Sequence, residues 1–359
     1  MLALIAVGIL AAALATAAVL QLARPLLAGR MVWPALGAAA VSAILTIGIG
    51  RLFDIASWGY LIGVAALAVP VLVLLEAAAI ASGADSAGRW ILMLGWGAVV
   101  FPPAALVPLW LTASCAGTDC ELEDFGGGLP LLVSSSAFVL LAWLPAGVVE
   151  RADPDPQDNR RAMLALLVVW LAFIVWLTQL EGAVDEYTTR IVLAAVIGPV
   201  FGALGWLLVD LLRNARRPIG RSLALGLIAG MAATLPGAVT VAVPWNLAVG
   251  ALAGALGSVA YSGRASSAAG IATRWGLVIL VASAVGFLAP AISGDTIGIL
   301  FSAHLGVLTV PVVSFVGVSL LSLLVSAPVW VLLRRHASRE RIPPVFRADA
   351  GTGELDQGE

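Results

Sequence analysis

The stretch of this chain best suited to chemistry is Asp124-Phe125-Gly126-Gly127-Gly128, which leads into an apolar run ending at Pro145. A carboxylate just before a helix accepts the N–H groups that the first turn leaves without partners. Glycines without Cβ atoms let a second backbone come close. The stretch reads as the mouth of a membrane helix packed tightly in a bundle, and a capped helix with no ligand accounts for the same residues. Two more carboxylates, Glu76 and Asp210, lie inside apolar runs. Within a bilayer a carboxylate is costly unless paired or wet, so each is either a proton or cation relay or a hydrogen-bonded strut between helices. Asp210, three residues before Arg213, reads as a strut; for Glu76, deeper in its run, both readings stay open.

Cys115 and Cys120, separated by four residues, share one loop. With no histidine beside them they make a poor metal site. A disulfide or two free thiols fits better, the disulfide if the loop is extracytoplasmic. His304 is placed near the outer end of the last span, as a neutral side chain bonded to a neighbour rather than a metal ligand. Neither a metal nor another cofactor is expected. The absence of Walker, HExxH and GxSxG motifs in a suitable context argues against an enzyme.

The elements that must position these residues are transmembrane helices. The chain has 359 residues, 61% hydrophobic and 11% charged, with a mean hydropathy of +1.05. That composition excludes a soluble globular domain and gives no basic face for nucleic acid. The apolar runs are of helical length and do not alternate, which excludes a β-barrel and predicts an all-α polytopic protein whose constant partner is membrane lipid. Leu2–Leu22 lacks a basic flank and a clear cleavage site, so it reads as a retained helix. Eleven spans are expected, at 2–23, 33–52, 58–82, 90–113, 126–149, 162–181, 187–212, 219–239, 243–262, 271–291 and 298–333, with Pro311 and Pro328 as kink sites in the last.

All 19 basic residues are arginine. With the N-terminus outside, only Arg51 and Arg190 fall on the outer side and Arg274 at an inner helix end, so the positive-inside rule selects N-out, C-in. The polar loop 150–161 divides the spans into five, then five, plus a long last helix, which suggests an inverted pseudo-repeat with a pathway at its interface. Residues 1–336 form the expected membrane domain and 337–359 a cytoplasmic C-terminal tail. Gly226…Gly230 and Gly250…Gly254 are small-residue spacings that let helices pack closely.

Several of these motifs together resemble a known family. Asp124–Gly128 resembles the DFAGG element of the ammonium transporters, the Amt/Rh family. Gly205-Trp206 to Asp210, Arg216-Arg217-Pro218, Ser222–Ala233 and Leu235-Pro236-Gly237-Ala238 resemble that family's seventh and eighth helices, and Asn246–Tyr261 continues the match. The resemblance implies a homotrimer in the plasma (inner) membrane, with a narrow hydrophobic pore in each protomer that passes ammonia, ammonium or a related small amine. It also leaves room for a cytoplasmic regulator. Carried over by position, Asp124 is structural first and recruits cations second. Phe125 belongs to the same element, Trp110 matches a vestibule tryptophan whose face holds a cation, and Trp176 matches a gate aromatic.

The departures are as specific. Leu132 stands where the family carries its first pore histidine, Arg274 or Trp275 where it carries the second, and Ala65 and Ala66 where an outer aromatic gate is usual. The resulting expectation is a transporter-like channel without the paired imidazoles. The alternative is a non-conducting relative, a sensor or interaction protein, with its lumen blocked by Trp176, Trp275 or Leu132. An unrelated membrane enzyme or secondary transporter ranks last, because Glu76 alone lies near the midplane.

Overall fold

The computed structural model describes residues 2–27, 31–55, 57–81, 84–114, 122–140, 156–181, 184–215, 217–262, 271–295 and 298–339. Its elements in chain order are α1 (Leu2–Leu27), α2 (Trp33–Leu52), α3 (Trp58–Ala81), α4 (Ser86–Leu94), α5 (Phe101–Ser114), α6 (Ser134–Val139) and α7 (Pro156–Leu180). There follow α8 (Glu186–Leu212), α9 (Ile219–Thr234), α10 (Val243–Ser262), α11 (Ile271–Ser293), α12 (Ile299–Ser302) and α13 (Thr309–Arg339). Wide π-helical turns at Gly95–Val100 and Leu129–Val133 lead into α5 and α6. No strand occurs among the described residues. A backbone in hydrocarbon has no water to bond, so long apolar runs close their hydrogen bonds internally as helices. Nine helical stretches are long and apolar enough to cross a membrane among the described residues, and Leu129–Val139 and Ile219–Thr234 are shorter apolar helices. The chain is an all-helical, polytopic membrane protein.

Proline positions explain several local features. Pro102 and Pro103 have no N–H to give to the carbonyls four residues back, and the helix widens in the turn just before them. Pro130 likewise leaves the carbonyl of Gly126 without a helical donor, and the indole N–H of Trp176 donates to it at 3.1 Å. Pro199 frees the carbonyl of Ala195, which accepts the Trp170 indole N–H at 2.9 Å. Each indole thus ties one helix to the gap a proline leaves in another.

Helices α8, α9 and α10 form a knot of glycines. A Cβ on Gly202 would lie 2.5 Å from the Gly226 carbonyl oxygen, one on Gly250 2.2 Å from that of Gly198, and one on Gly254 1.9 Å from that of Gly202. Only hydrogen fits there, so the backbones touch directly. Elsewhere α1 packs against α3 and α7, and α11 lies beside α6, α9 and α10.

Two expected boundaries shift. The run 298–333 is not one helix: Ala303 takes a left-handed conformation (φ 54°) after α12, a 3-10 turn spans Leu305–Leu308, and α13 then begins. Pro311 falls within the first turn of α13, where its missing N–H costs nothing, while Pro328 lies inside that helix. The expected 219–239 span ends at Thr234, and turns occupy 235–240. Cys115, Cys120 and the tail beyond 339 lie outside the described residues.

Candidate functional site: an apolar cavity under a capped turn

Asp124 closes the turn that precedes the Leu129–Val139 helix. Its carboxylate accepts from the backbone N–H groups of Gly128 and, at 2.9 Å, Leu129. Burial pushes the carboxyl up to about 6, against the N–H bonds, which lower it. Gly127 adopts φ +77°, a left-handed value that glycine tolerates without strain. The N–H groups of Phe125 and Gly126 donate to the carbonyls of Pro236 (3.1 Å) and Leu235 (3.2 Å). Two of the stretches that carry the resemblance, Asp124–Gly128 and Leu235–Ala238, are therefore bonded to each other. A methyl group on Gly126 would meet the Leu235 side chain at 2.4 Å. Gly126→Ala is expected to lower stability by about 1–3 kcal/mol by overpacking, read as a fall in the melting temperature of the purified protein.

Beneath this turn lies a cavity of ≈ 510 Å³. Its walls come from α1 (Ala15, Val19), α3 (Leu67, Val71, Leu74), the fifth apolar run (Leu131, Leu132, Ser135, Ser136, Val139), α7 (Phe173, Trp176), α9 (Ile228, Met231) and α11 (Trp275, Gly276, Ile279), with Leu235 beside the turn. Trp176 is nearly buried, its ring against Gly63. Leu132 and Trp275 both face the cavity.

The two serines are the polar exception in an otherwise apolar wall. Ser136 Oγ donates to Leu132 O and Ser135 Oγ to Leu131 O. Each hydroxyl keeps acceptor capacity that can face the lumen. The motif reading overlooked them, although three consecutive serines, 134–136, interrupting an apolar run are a visible signal.

The remaining candidates sit elsewhere. Phe125 is half-buried in the turn, while Trp110 is 54% exposed on α5. Arg274 stands 5.8 Å over the Tyr261 ring. His304 is exposed in the break before α13. Glu76 is fully buried: its Oε2 accepts the Ala35 N–H at 2.8 Å, in the first turn of α2, and its Oε1 accepts from Arg89 Nη1 at 3.0 Å. It joins α3 to the start of α2 and to α4. Glu76→Gln keeps one carbonyl acceptor but leaves the Arg89 charge unpaired, and is expected to cost about 1–3 kcal/mol, measured by thermal melting. Among the described residues, no group of three or more His, Cys, Asp or Glu side chains could hold a metal.

A capped turn, an apolar cavity among the helices and carboxylates used as struts define a helical membrane protein. No protein-family model matches the chain, and no curated protein does. Solved structures do. The crystal structure of Saccharomyces cerevisiae Mep2 superposes with a TM-score of 0.69 at 15% identity, over 91% of this chain and 87% of that one. A delta442 mutant of Candida albicans Mep2 gives 0.69 at 18% identity, over 92% of each chain. A sensor Amt protein gives 0.67 at 14% identity, over 97% of this chain and 99% of the other. The chain has the fold of these Mep and Amt proteins.

Proposed function

We propose that this chain is a divergent member of the Amt/Rh family, and that its cavity passes an uncharged small amine, ammonia being the simplest, across the plasma membrane. The observation that carries the reading is the cavity wall. It includes residues of the fifth and tenth apolar runs, among them Leu132, which the resemblance puts at one pore-histidine position, and Trp275, one of the two residues, with Arg274, that it offers for the other. An ammonium ion entering such a wall loses its hydration with no compensating charge, an effective cost of several kcal/mol or more. Ammonia loses only hydrogen bonds, about 2–7 kcal/mol at most, and the serine oxygens restore part of them. The reading includes eleven spans, counting Leu129–Val139 and Ile219–Thr234, an N-out, C-in inverted repeat, a trimer with one cavity per protomer, and a tail from 337 on the cytoplasmic side open to a regulator. Asp124 then organises the outer mouth.

A stopped-flow experiment tests it: proteoliposomes loaded with a pH-sensitive dye are pulsed with an ammonium salt. Internal alkalinisation faster than in empty liposomes is expected, and Leu132→Trp, which fills the cavity, is expected to return it to the empty-liposome rate. Equal rates for the unaltered protein and empty liposomes would contradict passage and favour the non-conducting alternative.

A further inference from the structure

The cavity beneath the Asp124 turn is far larger than ammonia requires. A solute of that size takes one water's share of volume, about 30 Å³, whereas the cavity measures ≈ 510 Å³. An apolar cavity of about 150 Å³ already stays dry and takes a benzene molecule. Pockets for larger organic ligands run from about 300 to 1,000 Å³. By proportion to the benzene case there is room for roughly twenty non-hydrogen atoms. Small side chains on three of the walls leave this width: Ala15 and Ala23 of α1, Ala172 of α7 and Ala232 of α9.

The chemistry of the wall is as narrow as the space is wide. No titratable side chain lines the cavity among the described residues. The hydroxyls of the wall belong to Ser135 and Ser136, and each spends its one proton on its own helix, Ser135 on the Leu131 carbonyl and Ser136 on that of Leu132. What each keeps is acceptor capacity. The Trp176 N–H is committed to Gly126. A guest that suits this wall carries N–H donors at one end and an apolar body behind them. An ether of the same size would set an acceptor against the serine acceptors and lose its hydration without return.

We propose that the cavity binds a primary amine with an alkyl or aryl body, in its neutral form, with the N–H groups on Ser135 and Ser136 Oγ. This rests on the reading of the cavity as the path of a neutral amine, and it names the solute class that fills the space. Burying the methylenes raises affinity over that of ammonia by about a hundredfold or more. An aliphatic ammonium releases its proton near about pH 10.4, so below that the neutral fraction, and with it the apparent affinity, grows about tenfold per pH unit. The surrounding elements add no dependence of their own in that range. Glu76 is paired with Arg89, Arg221 and Arg274 lie against Tyr261, and Arg24 and Arg160 are exposed. Asp124, in the turn above, is pushed up to about 6 and stays charged at higher pH.

The test uses the full-length protein in lipid nanodiscs and a hexylamine analogue with a diazirine on its alkyl chain, mapped to peptides after illumination. Labelling that hexylamine displaces is expected on the cavity-lining peptides and is expected to rise about tenfold per unit from about pH 7 to about pH 9. Compared as neutral bases, hexylamine is expected to displace the probe at about a hundredfold lower concentration than ammonia. Dipropyl ether, of similar size without an N–H, is expected to compete about tenfold less well than hexylamine. Ser135→Ala with Ser136→Ala is expected to weaken amine binding about tenfold, and Leu132→Trp to abolish it; the serine pair keeps the proposal testable if the tryptophan variant does not fold. Displaceable labelling outside the lining, equal competition by ether and amine, or binding that does not rise with pH would overturn the proposal. Stopped-flow alkalinisation separates it from the passage reading. Hexylamine equilibrated on both sides is expected to slow the ammonia response. Ammonia passage unhindered by saturating hexylamine would overturn this proposal alone, and lining labelled without any ammonia passage would support it while contradicting passage.

Discussion

Asp210→Ala is expected to destabilise the protein by about 3–5 kcal/mol, the usual cost of removing one member of a buried, charge-paired network. Asp210 is 6% exposed, and four side chains converge on it: Trp206 Nε1 at 3.0 Å, Arg217 Nη1 at 3.0 Å, Ser222 Oγ at 2.6 Å and Ser258 Oγ at 2.7 Å. Those donors come from α8, the turn before α9, α9 itself and α10, so one carboxylate fastens three helices. Alanine leaves the Arg217 charge and three polar groups without their acceptor where little water reaches. Asparagine keeps a single carbonyl oxygen and is expected to recover part of the loss. Thermal melting in detergent, with size exclusion to detect misassembly, measures both. A melting temperature for Asp210→Ala within a degree or two of the unaltered protein would remove Asp210 from its role as the central fastener.

Gly254→Ala is the second change with a large expected effect. The new Cβ would stand 1.9 Å from the Gly202 carbonyl oxygen, with the carbonyl carbon at 2.7 Å. The obstruction is backbone, so no side-chain rotation relieves it. Helices α8 and α10 must separate, and the Gly198–Gly250 contact beside it opens too. The penalty is expected at or above about 3 kcal/mol, the upper end for overpacked sites. Gly317→Ala is the matched control. A Cβ there meets nothing within 4 Å, and helix propensity predicts a gain of up to about 1 kcal/mol. The two melting temperatures should therefore move in opposite directions.

These two sites also mark how far sequence reasoning reached. The helical membrane architecture was readable because long apolar runs in lipid have few structural choices. The strut role of Asp210 was read from its closeness to Arg213, although the arginine it pairs with is Arg217. The glycine spacings on α9 and α10 pointed to close packing, and Asp124 sat where a helix needs an acceptor. What escaped depends on which helices meet. Glu76 stayed ambiguous because its partners, Arg89 and the Ala35 N–H, belong to neighbouring helices. The break at Ala303 is a left-handed turn at an alanine, a residue with no turn signature of its own. The bond from Trp176 to Gly126 needed both the gap left by Pro130 and the docking of α7 beside it.

The central claim is that the cavity lined by Leu132 and Trp275 passes a neutral base and excludes its conjugate cation. Ammonium-evoked current from proteoliposomes on a sensor chip tests this most directly, when recorded on the same vesicles that give the stopped-flow alkalinisation. Neutral passage requires alkalinisation above that of empty liposomes with no current above theirs. A saturable current that Leu132→Trp abolishes would mean that charge crosses through this cavity, contradicting neutral passage through an apolar wall.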